Sequence, residues 1–326
     1  MRVLITGAAG MIGRKFAERL LADGAVGGQQ IEQIVLHDVV TPETQGASVT
    51  AVTGDLSAPG AIDALLAHRP DLVVHLAGVV SGQAEAEFDL GYRVNLDGTR
   101  ALLEGIRSAG LHPRFVYAST EAVFGRPFPD TIPDDLAPQP LTSYGTQKLM
   151  GELLVNDFSR KSFLDGVSIR FPTICVRPGA PNRAASGFFS GIIREPLRGL
   201  PAVLPVPREV THTMASPRSA VGFILHAATM DTAPLGARRA VIPPGIAVTV
   251  ADQIEALRRV AGDRAVSLIE ERPDPAVWAI VQTWPARFEA RRGRDLGFTS
   301  EQSFDEIIQV HIEDELGGRV PVADGA

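Results

Sequence analysis

The run Tyr144-Gly-Thr-Gln-Lys148 sets a phenol and an ammonium four residues apart. On a helix that spacing puts both side chains on one face. A free tyrosine, with a pKa of about 10, is a poor base at neutral pH. A neighbouring lysine favours the phenolate and brings that value toward the working range, so the pair is a candidate general base. The same spacing would also suit an exposed pair on a solvated helix. A second stretch tips the balance: Tyr117-Ala-Ser119-Thr120-Glu-Ala-Val-Phe-Gly125 reads as the end of a strand. Open parallel sheets bind ligands at the carboxyl ends of their strands. Thr120 there can donate its hydroxyl to an oxygen on which alkoxide character develops. Ser119, beside it, is a candidate substrate contact.

Removing a proton from an alcohol is half of an oxidation, and the N-terminus carries a site for the other half. Val3-Leu-Ile-Thr-Gly7-Ala-Ala-Gly10-Met-Ile-Gly13 joins a strand to a helix. Glycine at 7 permits the tight turn, at 10 lets a pyrophosphate approach the backbone, and at 13 lets the helix pack on the strand. The N–H groups at Met11 and Ile12 would face the phosphates at the positive end of the helix. Asp38 closes the second strand, placed to accept hydrogen bonds from the adenosine ribose and to repel the 2′-phosphate of NADP; it selects NAD. Asp55 and Leu56 ending the third strand, Ala77 ending the fourth and Pro172 after the sixth complete the expected cofactor contacts. A glycine turn without ligand, and an aspartate that merely ends a strand, are the plainer readings of the same residues. With the cofactor in place, the positive nicotinamide ring would further favour the Tyr144 phenolate.

The elements needed to position these groups are legible as alternating apolar runs and helical patterns. Strands are predicted at 2–6, 33–38, 49–55, 72–77, 114–119 and 167–171. Ile12, Phe16 and Leu20 share the buried face of the first helix, which Gly24 caps. The alternation predicts an α/β fold, a Rossmann-type doubly wound parallel sheet with a smaller, mixed C-terminal substrate-binding region. The NAD-binding domain is expected to span 1–172 with a return segment near 215–245, and the substrate-binding region 173–326. Thr299 with Gln302 is read as the capping box of a late helix whose buried face is Phe304, Ile307, Ile308 and Ile312. From about 317 the tail is expected to be mobile.

Bulk properties narrow the class. The 326 residues are 45% hydrophobic, with 31 basic against 38 acidic side chains and a net charge of −7. That balance gives no electrostatic reason to expect nucleic acid as a partner. No apolar run approaches the roughly 20 residues of a membrane span, and the N-terminal apolar stretch is too short for a secretory signal. The single cysteine, Cys175, suits a reducing cytoplasm and reads as core. His75 and His212 lack metal-ligand spacing, so no metal is expected.

Gly7, Gly10 and Gly13, Asp38, Asp55-Leu56, Asn95, Thr120, Tyr144 and Lys148 together resemble the extended short-chain dehydrogenase/reductase family over nearly the whole chain. The resemblance implies that Thr120, Tyr144 and Lys148 are catalytic. It also implies that Asn95 orders the active-site helices or a proton-relay water; a polar residue at a helix N-terminus is the alternative. Most extended members act on nucleotide-linked sugars, but their later arginine-or-histidine and paired-aspartate segment is absent from Val210-Thr-His-Thr-Met-Ala-Ser-Pro-Arg218. The runs 80–90, 143–157 and 172–179 are instead similar to members that oxidise the C2 hydroxyl of a four-carbon sugar acid, with Thr120 in place of their serine. A sugar acid needs a carboxylate anchor, for which Arg177, Arg183 and Arg218 are candidates, each also readable as a surface or structural arginine. Ser81 is a candidate contact for substrate hydroxyls, or a loop cap. A nucleotide-sugar epimerase or dehydratase, an L-threonine-type dehydrogenase and a non-catalytic NAD sensor or scaffold remain the alternatives. Helices carrying Val94, Leu96, Leu102 and Leu103, and Leu149, Met150, Leu153 and Leu154, form the dimer interface in the family, so the resemblance implies a homodimer; the alternative is that they merely face the sheet.

Overall fold

Residues 1–179 and 185–321 are described by a computed structural model of the chain. Two compact units form: 1–123 with 138–171 and 221–242, and 124–137 with 172–220 and 243–326. The first unit is built on β1 (Arg2–Thr6), β2 (Gln33–Asp38), β3 (Val49–Thr53), β4 (Leu72–His75), β5 (Arg114–Thr120) and β6 (Asp165–Phe171). A short edge strand, Ala240–Val241, joins β6, and the seven strands run in the order (240–241)-β6-β5-β4-β1-β2-β3, every pairing parallel. This is the doubly wound order, with its switch point between β1 and β4. The central strands are continuous apolar runs because both faces are covered: Val3, Leu4, Ile5, Ile34, Leu36 and Val73 are fully buried. The predicted strands fall within a residue or two of the observed ones.

Helix α1 (Met11–Asp23) buries Phe16 and Leu20, with Ile12 half-buried, and ends at Gly24 in the left-handed conformation. Helices α2 (Ala61–Leu66), α3 (Gly98–Ser108) and α4 (Ser143–Arg160) complete the layer that matters for the site. Leu102 and Leu103 of α3 are fully buried, packed with Leu65, Phe115 and Val155. They face the sheet and are withdrawn as interface residues. Val94, Leu96, Leu149, Met150 and Leu154 are half-buried, and Leu153 on α4 is 58% exposed.

The second unit has a three-stranded sheet in which Thr211–Ala215 pairs in parallel with Thr173–Ile174 and antiparallel with Ile246–Thr249. Its core gathers Phe189, Ile193, Met214, Ile254, Leu257 and Ile308. Cys175 is fully buried there, its thiol pushed up to about 12 by burial. The late helix starts at Phe304, not near Thr299. Ser303 is the N-cap and accepts the Glu306 N–H, while the Glu306 carboxylate accepts the Gln302 N–H. The capping pattern therefore sits four residues later than predicted, and the four expected apolar residues form its buried face. The predicted mobile tail falls partly on 322–326, outside the described residues. Among the described residues no helix is long and apolar enough to cross a membrane.

One close approach sets the seating of α4. A Cβ on Gly151 would lie 2.2 Å from the Tyr117 hydroxyl of β5, so only glycine lets the helix sit at this depth. Gly151→Ala is expected to destabilise the protein by roughly 1–3 kcal/mol, read as a lowered midpoint in thermal or urea unfolding.

Candidate active site

The turn after β1 is shaped by contacts that exclude side chains. A Cβ on Gly7 would lie 2.6 Å from the Ala77 backbone nitrogen, and one on Gly13 2.4 Å from the Gly7 carbonyl oxygen. Gly7 is also left-handed, with φ 74°. These two glycines bring β1, α1 and the end of β4 together at the switch point. Gly10 is the N-cap of α1 and supplies no side chain to cap the N–H groups that follow, at Met11 and Ile12. An uncapped helix N-terminus flanked by glycine suits a diphosphate, whose oxygens take those N–H groups and whose charge opposes the dipole.

Asp38, at the end of β2, accepts the Ala9 N–H at 2.9 Å and the Val40 N–H at 3.3 Å. It thereby fastens the glycine turn and keeps a half-exposed carboxylate beside it, free to accept from further hydroxyls. Asp55 accepts both the N–H and the hydroxyl of Ser57, which hold its carboxyl below the usual range. The Leu56 side chain is buried with Leu102 and Leu65 in the core, leaving its backbone as what it can offer a ligand. Ala77 lies at the turn's wall, half-exposed. Pro172 is buried at the start of the second unit, next in sequence to the last residue of β6. The cradle fits NAD: the glycines and α1 would hold the pyrophosphate, and Asp38 the adenosine ribose.

Thr142 caps α4, accepting the Gly145 N–H, and so begins the helix at the residue before Tyr144. A Cβ on Gly145 would lie 2.2 Å from the Ala122 carbonyl oxygen, so this first turn presses on the backbone just past Thr120. The Thr120 hydroxyl oxygen accepts the Ala122 N–H at 3.1 Å. Its own proton is not used in that bond and can be donated to a substrate oxygen. Tyr144 is half-exposed, and the Lys148 ammonium lies 5.9 Å from its ring centre. Lys148 itself is 3% exposed, and burial pushes its pKa down to about 8.

Asn95 is buried in a π-helical turn, Tyr92–Asp97. Its amide oxygen accepts the Val79 N–H at 2.9 Å; its nitrogen donates to the Val79 carbonyl and to Gln147 Oε1 at 2.8 Å. This excludes the helix-N-terminus reading: Asn95 ties the segment after β4 to α4, and its two amide protons are engaged in that tie. Beside it His75 is locked. The Thr99 hydroxyl donates to the Asn95 carbonyl, so it accepts from His75 Nε2 at 2.9 Å, and the Thr6 hydroxyl donates to Nδ1 at 2.6 Å. Burial holds His75 neutral, with its pKa pushed down to about 3.

Ser119 does not reach a ligand. Strand alternation turns it away from Thr120 and buries it, where its hydroxyl donates to Glu152 Oε1 at 2.5 Å. Arg170 of β6 takes the same carboxylate in a bidentate grip, Nε at 2.9 Å and Nη2 at 2.8 Å. Glu152 and Arg170 went unread in the sequence, although an acid four residues after Lys148 on a helix bearing the site was a visible signal. Gln147 was likewise passed over. Ser81 is the first residue of the short helix Ser81–Ala86; Val80, not Ser81, is its N-cap, which removes the loop-cap reading.

In the second unit Arg218 is an ion-paired surface residue, donating to Glu313 at 3.0 Å and Asp314 at 2.5 Å. With its charge met by two acids it is withdrawn as a carboxylate anchor. Arg177 is half-buried, its Nε donating to the Ile174 carbonyl and its own carbonyl accepting from Arg194. Arg183 lies outside the described residues. His212 is stacked on Phe189 with ring centres 5.2 Å apart and is bonded to Thr173. Among the described residues no group of three or more His, Cys, Asp or Glu is arranged to hold a metal ion.

The family model of the NAD dependent epimerase/dehydratase family matches residues 3–212. The chain belongs to that family, and it is an oxidoreductase whose cofactor is NAD. A D-erythronate dehydrogenase from Cupriavidus necator is 49% identical, the match covering 96% of this chain and 98% of that protein. A second D-erythronate dehydrogenase, from Haemophilus influenzae, is 40% identical over 97% of this chain and all of its own, 100%. The solved structure of the nucleoside-diphosphate-sugar epimerase from Agrobacterium tumefaciens is 55% identical, with a TM-score of 0.96 over 98% of this chain and 96% of that one.

Two outcomes follow from this geometry. Glu152→Gln leaves a buried guanidinium without its counter-charge and is expected to destabilise the protein by about 3–5 kcal/mol, measured by denaturant unfolding. Asp38→Ala removes the charge that repels a 2′-phosphate. The ratio of NAD to NADP affinity, measured by calorimetry, should fall by roughly tenfold or more.

Proposed function

We propose that this protein oxidises the C2 hydroxyl of a four-carbon sugar acid, D-erythronate, to 2-oxo-tetronate. Full-length similarity to two proteins named D-erythronate dehydrogenase carries the choice of substrate. The chemistry is supported by the helix face that sets Tyr144 beside Lys148, with Thr120 at the neighbouring strand end. When bound, NAD supplies the hydride acceptor for the carbinol carbon. The Thr120 hydroxyl donates a hydrogen bond to the C2 oxygen and holds it in place. Tyr144 takes the C2 hydroxyl proton as phenolate, and Lys148 supports that phenolate by its charge and donates to the nicotinamide ribose. Asn95 and Gln147 keep α4 in register with the segment after β4. Arg177 or Arg183 is the proposed anchor of the substrate carboxylate, with Ser81 toward its hydroxyls. The reaction is assigned to the cytoplasm and to a homodimer, for which the exposed Leu153 on α4 offers an apolar contact.

The 55% identical epimerase structure favours a second reading, an epimerase of a nucleotide-linked sugar. Such an enzyme retains its NAD and gives no net reduction. Mixing the protein with NAD and D-erythronate should raise absorbance from NADH in proportion to acid consumed. Tyr144→Phe should lower the rate by about a hundredfold or more while leaving NAD affinity essentially unchanged. No NADH from D-erythronate, alongside epimerisation of a UDP-sugar, would reject the dehydrogenase assignment.

A further inference from the structure

Lys148 is almost completely buried, yet its ammonium has no carboxylate and no hydrogen-bond acceptor among the described residues. The acid one turn along, Glu152, is committed to Arg170 and Ser119. What the ammonium meets is aromatic. It stands 5.0 Å over the ring of Tyr117, closer than its 5.9 Å to Tyr144. We propose that Tyr117 is a positioning residue: its ring is the platform that holds the Lys148 ammonium charged and in place beneath Tyr144. The proposal rests on Tyr144 being the base.

Tyr117 is built for a platform and for little else. It is fully buried on β5, stacked on His75 with ring centres 5.9 Å apart, and α4 carries glycine at 151 to admit it. Its hydroxyl has no well-formed hydrogen bond, since the neighbouring Thr99 hydroxyl is taken up by Asn95 and His75. Burial raises its pKa well above the usual tyrosine value, so it stays a neutral ring. The other groups around the ammonium give it no counter-charge. His75 from β4 is neutral, Asn95 from the π-helical turn is an amide, and Glu152 on α4 is neutralised by Arg170 from β6. A desolvated cation over an aromatic face gains from the ring quadrupole, which favours the charged form.

The size of that effect matters because burial already brings Lys148 to about 8. Losing the ring is expected to lower this by roughly one unit, a tenfold change in ionisation constant. A lysine loses its charge as pH rises through its pKa, so a lowered value moves the alkaline fall in turnover to lower pH.

The chain has three lysines, Lys15, Lys148 and Lys161, so lysine-labelled NMR titration of the intact protein can follow Lys148 directly, with Lys148→Arg to assign it. Tyr117→Phe should leave the titration in place. Phenylalanines of increasing fluorination at 117, which weaken the ring face at nearly constant shape, should lower it stepwise, and Tyr117→Leu should lower it by about one unit. An unchanged titration across the fluorinated series, in protein that stays folded by circular dichroism, would overturn the platform. If Tyr144 is the base, the alkaline limb of NAD reduction with D-erythronate should move in parallel. A shifted titration with an unmoved limb upholds the platform and rejects Tyr144 instead.

Discussion

The Glu152 carboxylate is out of water, and what satisfies it comes from two strands at once: Ser119 of β5 and Arg170 of β6. Those strands pair in register, Ser119 opposite Arg170 and Thr120 opposite Phe171. A helix gripped in this way can neither slide nor roll without stranding a buried charge, which is among the most expensive things a protein interior can do. The relation of Tyr144 and Lys148 on the helix to Thr120 on the strand follows from that grip. Asn95 adds a second tie, from the segment after β4 to Gln147. The candidate catalytic face is thus defined by a polar clamp under the helix, and the apolar core completes the fit.

Much of this was readable without coordinates. Parallel strands covered on both faces must be apolar runs, and β1, β2 and β4 announce themselves in that way. The glycines at 7 and 13 could be read because backbone contact leaves no alternative residue at those positions. The pairing of Tyr144 with Lys148 followed from helical spacing alone. Local rules of this kind need only the segment itself.

What could not be read depends on partners distant in sequence. Ser119 and Thr120 are both hydroxyl residues at a strand end; which one faces outward depends on the register of β5 against β6. Arg218 looked available until Glu313 and Asp314, some 95 residues on, came beside it. Two overlapping capping patterns precede the last helix, and it is Ser303, accepting the Glu306 N–H, that takes the cap in place of Thr299. Asn95 could be read equally as a helix-start residue or as one that orders the active-site helices, because a π-helical turn has no distinct signature in one sequence.

The glycine at 151 and the tyrosine at 117 occupy one space between them, the missing side chain of the first making room for the phenol of the second. Such a pair can change only as a unit. A larger residue at 151 can be accepted only beside a smaller one at 117, and the smaller one removes the ring that Lys148 stands over. Two positions 34 apart in the chain are therefore one steric unit, set against Lys148 by the volume of one phenol.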